Sequence, residues 1–151
     1  MARLDFFAHT NGEIALATAV AKTVLQIAAP ANQRVAIKGF SISFDGTSAT
    51  AEAVVVELCR QSGATTGSSA ATIAKRDPAW PTVQSTALKN LTAGVETTDE
   101  VVQQWDVHPQ AGVDYAFTLE DEVILAGGGK IGVRCTAPAS VNCLAKLFCE
   151  E

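Results

Sequence analysis

A chain of 151 residues is enough for one domain with its own core and leaves little room for a second. Charged residues make up only 18% and hydrophobic ones 48%, with much of the rest Thr, Ser, Gln and Asn, which favours β structure over a helical bundle carrying Glu and Lys on its wet faces. A net charge of -5 with no run of Lys or Arg excludes the electrostatic footprint of a nucleic-acid coat.

Residues 1–12 have an acid at position 5 and no charged region followed by an apolar block, so they do not read as a secretory signal. They do carry Leu4, Phe6 and Phe7 close to a terminus, followed by Asn11-Gly12. Such a cluster is either a first strand tucked against the domain or an arm that packs onto a neighbouring subunit. The chain is expected to divide into an N-terminal arm over 1–12 and a jelly-roll β-sandwich domain over 13–151. Residues 13–20 are the only helical candidate, rich in alanine but without a clean stripe. The longest apolar stretch, 14–31, is interrupted by Lys22 and Gln26 and is too mixed to span a membrane. The product is expected to be made in the cytoplasm, without a membrane partner.

From residue 23 onward, short runs of Val, Ile, Phe and Thr alternate with Gly, Pro, Asn, Asp and Ser at the spacing of a sandwich. Strands are expected over 23–28 and 34–44. In the second, Val35 and Ile37 share one parity and Phe40, Ile42 and Phe44 the other, so a bulge at Gly39 is needed to restore one apolar face. Residues 52–60 alternate Val54, Val56 and Leu58 against Val55, Glu57 and Cys59, which reads as a strand buried on most of both faces.

Residues 61–71 (QSGATTGSSAA) lack a core-forming face and read as an exposed loop. Strands at 72–75 and 82–88 flank the breaks Asp77-Pro78 and Trp80-Pro81, and 90–98 reads as loop. In 100–108, Trp105 and Val107 are expected to point inward. Tyr115, Phe117 and Leu119 alternate, and 123–125 precedes Gly127-Gly128-Gly129 with Ile131, Val133 and Cys135 beyond, which reads as a hairpin around a glycine loop. A last strand covers 141–149. The sum is a single antiparallel β-sandwich of jelly-roll type with about eight strands.

Chemistry-bearing patterns are thin. Gly127-Gly128-Gly129-Lys130 lacks the glycine spacing and the Ser or Thr of a phosphate loop, and a strand follows it instead of a helix. With only His9 and His108, no His-x-His pair with a third histidine exists to hold the metal of a cupin. There is no Gly-x-Ser-x-Gly elbow, and Cys59, Cys135 and Cys143 fall in strand patterns where small buried hydrophobes belong. The chain is therefore read as no enzyme, with no cofactor and no metal. Cys143 and Cys149 would stand roughly 20 Å apart in an extended run, too far to bridge each other; the four cysteines are read as reduced, other pairings staying open. Trp80, between two prolines, is the better exposed aromatic, whereas Trp105 has core parity. Leu4, Phe6, Phe7 and Trp80 are the candidate contact residues.

Three segments, 34–46 (RVAIKGFSISFDG), 105–110 (WDVHPQ) and 132–138 (GVRCTAP) with Val141-Asn142, give the chain a likeness over roughly 20–151 to small structural proteins of tailed bacteriophages. It resembles the jelly-roll decoration, or cement, proteins of phage heads. That resemblance implies a virion component on the outer capsid surface, commonly a homotrimer, whose partners are its own copies and the major capsid protein, and which reinforces the shell by bridging capsomers. The alternative expectation is a receptor- or carbohydrate-binding sandwich of a fibre or tail.

Overall fold

A computed structural model describes residues 4–48, 50–63, 67–91 and 97–151, the side chain of Asp99 apart. All of its regular structure is β. The chain runs through β1 (Asp5–His9), β2 (Ile14–Leu16), β3 (Ala21–Ala28), β4 (Val35–Phe44), β5 (Val54–Ser62), β6 (Ser69–Ala70), β7 (Thr72–Lys75) and β8 (Thr86–Lys89). It continues through β9 (Thr97–Val107), β10 (Gly112–Ala116), β11 (Val123–Leu125), β12 (Lys130–Thr136) and β13 (Val141–Glu150).

Two antiparallel sheets result. The first has the order β10-β4-β13-β1-β7, with β11 also on β4 and β2 also on β13; the second has the order β6-β8-β3-β12-β5-β9. Taking β10 and β11 as one broken strand, the eight principal strands are β1, β3, β4, β5, β9, β10/β11, β12 and β13. They lie in the order first-eighth-third-sixth in one sheet and second-seventh-fourth-fifth in the other. That is the jelly-roll arrangement, in which successive strands swap sheets except for the fourth and fifth, β5 and β9, which are neighbours in the second sheet. The β6-β7-β8 excursion adds β7 outside β1 and β6 and β8 outside β3, covering the two sheets on that side.

β4 shows how the sequence dictates the shape. Opposite it on β13, Phe148 pairs with Gly39 but Cys149 pairs with Ile37, so Lys38 is the extra residue of a bulge. The bulge shifts the phase, and Val35, Ile37, Phe40 and Ile42 are all buried together. Glycine is required beside it because a Cβ at Gly39 would lie 2.7 Å from the Tyr115 carbonyl oxygen on β10. β5 is buried on both faces as its pattern implies: Val54, Val56 and Leu58 face the core while Glu57, Cys59 and Gln61 are buried on the other side.

Several expectations are corrected. Residues 4–9 are not an arm: β1 is hydrogen-bonded between β13 and β7, Phe6 is fully buried, and Leu4 exchanges two backbone bonds with Glu151. An apolar parity of Leu4, Phe6 and Ala8 is satisfied most cheaply by a sheet position. Residues 1–3 of the expected arm lie outside the described residues. The alanine-rich candidate over 13–20 is no helix but the short β2 with a bridge from Thr18 to Ala137. The glycine loop does not close a hairpin either. β11 belongs to the first sheet and β12 to the second, so Gly127–Gly129 carries the chain across the sandwich. Gly128 has φ +77°, Gly129 N donates to the Ala126 carbonyl at 2.9 Å, and a Cβ on Gly127 would strike the Ala31 carbonyl. Of the loops expected over 61–71 and 90–98, residues 64–66 and 92–96 lie outside the described residues; Gln61 and Ser62 continue β5, and Thr97 and Thr98 already belong to β9.

All four thiols are free and buried. Burial pushes Cys59 up to about 11 and Cys149 well above the ordinary thiol range, and Cys135 is raised by its hydrogen bond to the Cys143 thiol and by burial. Since only a thiolate attacks a disulfide reagent, the native protein at pH 8 should react with an aromatic disulfide more than about a hundredfold slower than the denatured chain, which should release four equivalents. Rapid reaction of even one native thiol would contradict this placement.

Candidate functional site

The four candidate contact residues separate. Leu4 and Phe6 are core and have no surface to offer. Phe7, of opposite parity on β1, lies half-buried on the outer face of the first sheet, its ring 5.0 Å from Phe148 and stacked at 23°. Trp80 is half-buried against the core beyond β7, and its carbonyl, like that of Pro78, accepts a hydrogen bond from Lys75. Four other aromatics form a chain of ring contacts: Trp105 is 4.4 Å from Phe40 and 5.6 Å from Tyr115, which is 5.1 Å from Phe117. Trp105 is half-buried there and Val107 is buried, as their parity predicts.

Pairing places Phe7 and Phe148 in a larger surface. Directly opposed residues on antiparallel strands point to one face, so the outer face of the first sheet is a grid. One row reads Ala116, Gly39, Phe148, Phe7; the next Asp114, Ser41, Lys146, His9; the third Gly112, Ser43, Leu144. β10 and β4 therefore contribute short side chains and β13 and β1 long ones. The floor over β4 forms a shallow recess bordered by Asp114, Leu144 and Lys146, with Leu144 44% exposed. Lys146 Nζ sits 5.6 Å from the Phe7 ring centre and Lys38 Nζ 5.5 Å from that of Phe148. Lys38 is neutralised by Glu150 at 3.1 Å, Asp5 at 3.8 Å and Glu122 at 3.9 Å, whereas neither Lys146 nor Asp114 has an ion pair among the described residues. The outward alternation of Leu144, Lys146 and Phe148 in β13 is the sequence signal for this face.

At one end of the sandwich, the loops after β4, β9 and β12 surround an open cleft of about 870 Å³, lined among others by Gly46, Thr47, Pro109, Pro138 and Ser140. Hydrogen bonds between two pairs of residues hold its walls. Asp45 accepts from the backbone N–H of Asn142 at 2.8 Å and from its amide at 2.7 Å, and Gly46 N donates to the Pro109 carbonyl at 2.9 Å. The backbone N–H of Asn142 holds the Asp45 carboxyl below its ordinary range. His108 Nδ1 accepts from Gln110 N, and Gln110 reaches the Thr47 carbonyl, joining two of these loops. Among the described residues lining the cleft the acids are Asp45, already engaged, and Glu52. Among the described residues no three His, Cys, Asp or Glu side chains converge as metal ligands.

The outer face of the second sheet is polar and structural. Arg134 grips Glu57 at 2.7 Å and donates to Thr98, while Gln104 donates to Glu57 at 3.3 Å. Beside them Gln26 donates to Gln61 and Gln61 to Thr23, both at 2.7 Å and all three buried. The Gln61 side chain lies over Gly132, where a Cβ would also meet Thr23 Cγ2 at 2.8 Å. Every buried amide here has a partner, which fixes the register of β3, β12 and β5.

Comparisons with protein families, with curated proteins and with solved structures return no match for this chain.

Proposed function

We propose that this chain is a non-enzymatic structural subunit of a tailed-phage virion that binds the outer capsid surface and reinforces the shell by bridging capsomers. The observation that supports this reading is the loop-end cleft. It is open, built by three separate connections on a jelly-roll frame, and lined by short, mostly uncharged side chains whose walls are tied by Asp45–Asn142 and Gly46–Pro109. Such a surface suits an extended protein segment, because little charge must be desolvated and the walls are ordered beforehand. The segmental likeness to decoration proteins points to the same partner, the major capsid protein. Reinforcement follows from mass action: a subunit that binds only the mature shell stabilises it by its binding free energy, repeated over many sites.

The test is co-sedimentation with undecorated expanded capsids, comparing the native chain with Ser140→Arg and Thr47→Trp, which fill the cleft from exposed loops. Saturable binding that falls at least about tenfold in both variants is expected. Absence of binding by the native chain, together with retention on a glycan array, would replace this reading with the carbohydrate-binding module of a fibre or tail.

A further inference from the structure

We infer that the outer face of the first sheet is a self-complementary docking surface for a second copy of this chain. The pairing is independent of the capsid role. Its basis is the asymmetry of the grid: across every row, β4 and β10 present Gly, Ser, Ala or Asp, and β13 and β1 present Leu, Lys, Phe or His. A two-fold axis lying in the interface and running along the strands between β4 and β13 turns each half onto the other. The ridge formed by Leu144, Lys146 and Phe148 then seats in the recess over Ser43, Ser41 and Gly39 of the second copy, and the reverse contact follows by symmetry.

Charge agrees with shape. In the same superposition Asp114 faces the partner's His9, with the partner's Lys146 one strand away over Ser41 and long enough to reach the carboxylate. Among the described residues neither Asp114 nor Lys146 has an ion pair. The same axis sets Lys146 beside the partner's Lys146 over the two Ser41 positions, and each of the two is flanked on its far side by an Asp114 carboxylate. Sheet faces pack in this way about 10 Å apart with nearly aligned strands.

Edge-to-edge association is the alternative route for a sandwich, and the longest edge strand resists it. On β9, Val102 and Asp99 are each extra relative to β5, so two bulges interrupt the row of groups a second copy would pair with. The face has no such guard.

Four strands at their usual spacing and three rows of side chains cover about 400 Å² of each partner, about half of what a standard specific interface buries on each side. A weak, concentration-dependent dimer is therefore expected in free solution, strengthened where copies are held close on a surface.

Sedimentation equilibrium of the full chain from about 1 µM to about 1 mM tests it. The native chain should move from one to two chain masses across this range. Asp114→Lys, which sets a cation against the partner's His9 and Lys146, should weaken dimerisation at least about tenfold, and Ser43→Arg, which fills the seat of Leu144, by more. Asp114→Lys combined with Lys146→Glu should restore the native midpoint to within about threefold. All three changes sit on exposed positions, and an unchanged circular dichroism spectrum certifies the fold. A chain that stays monomeric throughout, a mass of three chains, or a dimer indifferent to Asp114→Lys would overturn the inference.

Discussion

Replacing Phe6 by Ala lowers the free energy of unfolding by about 3–5 kcal/mol, the range for emptying a large aromatic site in a packed core. Phe6 has no exposed surface, and β1 is bonded on both sides, to β13 and to β7, so neither backbone nor neighbours can collapse readily into the gap. A loss of that size removes a large part of the stability of an ordinary domain. Urea unfolding followed by tryptophan fluorescence reads it as a lower midpoint at unchanged slope. Phe7→Ala, one residue on but of outward parity, should cost less than half as much, since its ring loses mainly the stacking on Phe148. Equal and negligible effects at both positions would return residues 4–9 to the status of an arm.

The second large effect belongs to the polar face. Arg134→Met strips Glu57 of its cation while Glu57 stays buried, leaving Gln104 as its remaining side-chain donor. Breaking a buried pair from one side costs about 3–5 kcal/mol; because a quarter of the Arg134 side chain meets solvent, about 2–3 kcal/mol is expected. Adding Glu57→Gln to Arg134→Met should recover at least half of that loss, because a neutral amide bears a missing guanidinium far better than a carboxylate does. A double-mutant cycle by chemical denaturation measures the coupling. Additive single-mutant losses would show that the two groups do not act as a pair.

The fold class was legible because alternation is a physical requirement of a two-layer sandwich. Val54, Val56 and Leu58, or Ile131, Val133 and Cys135, have to fall on one face, and the phase change at Lys38-Gly39 has to be absorbed by a bulge. What alternation does not contain is partnership. Val123–Leu125 and Lys130–Thr136 look like two arms of a hairpin, yet in this jelly roll they go to different sheets, and a tight glycine turn serves either connection. The same limit explains β1. Leu4 and Phe6 carry the parity of a core strand, but their sheet neighbour, β13, lies at the other end of the chain.

The surfaces were less legible than the core. Phe7 stands out in the sequence as part of an apolar cluster near the terminus, but its stacking partner Phe148 is 141 residues away and becomes a neighbour only through the β1–β13 register. Lys146, Asp114 and Ser41 are unremarkable in isolation and gain meaning only as one row across three strands. The loop-end cleft likewise joins Asp45, Pro109 and Asn142, which local pattern treats as unrelated turns. Flanking prolines point to an exposed Trp80, but the excursion after β7 folds it half-buried against the core.

Hydrogen exchange on the isolated protein tests the closed jelly roll most directly. If β1 lies between β13 and β7, the amides of residues 6–9 exchange as slowly as those in the middle of β13, close to the limit set by global unfolding. Exchange of residues 4–9 at the rate of an unstructured chain, with β13 still protected, would contradict the account and restore the N-terminal segment as a free arm.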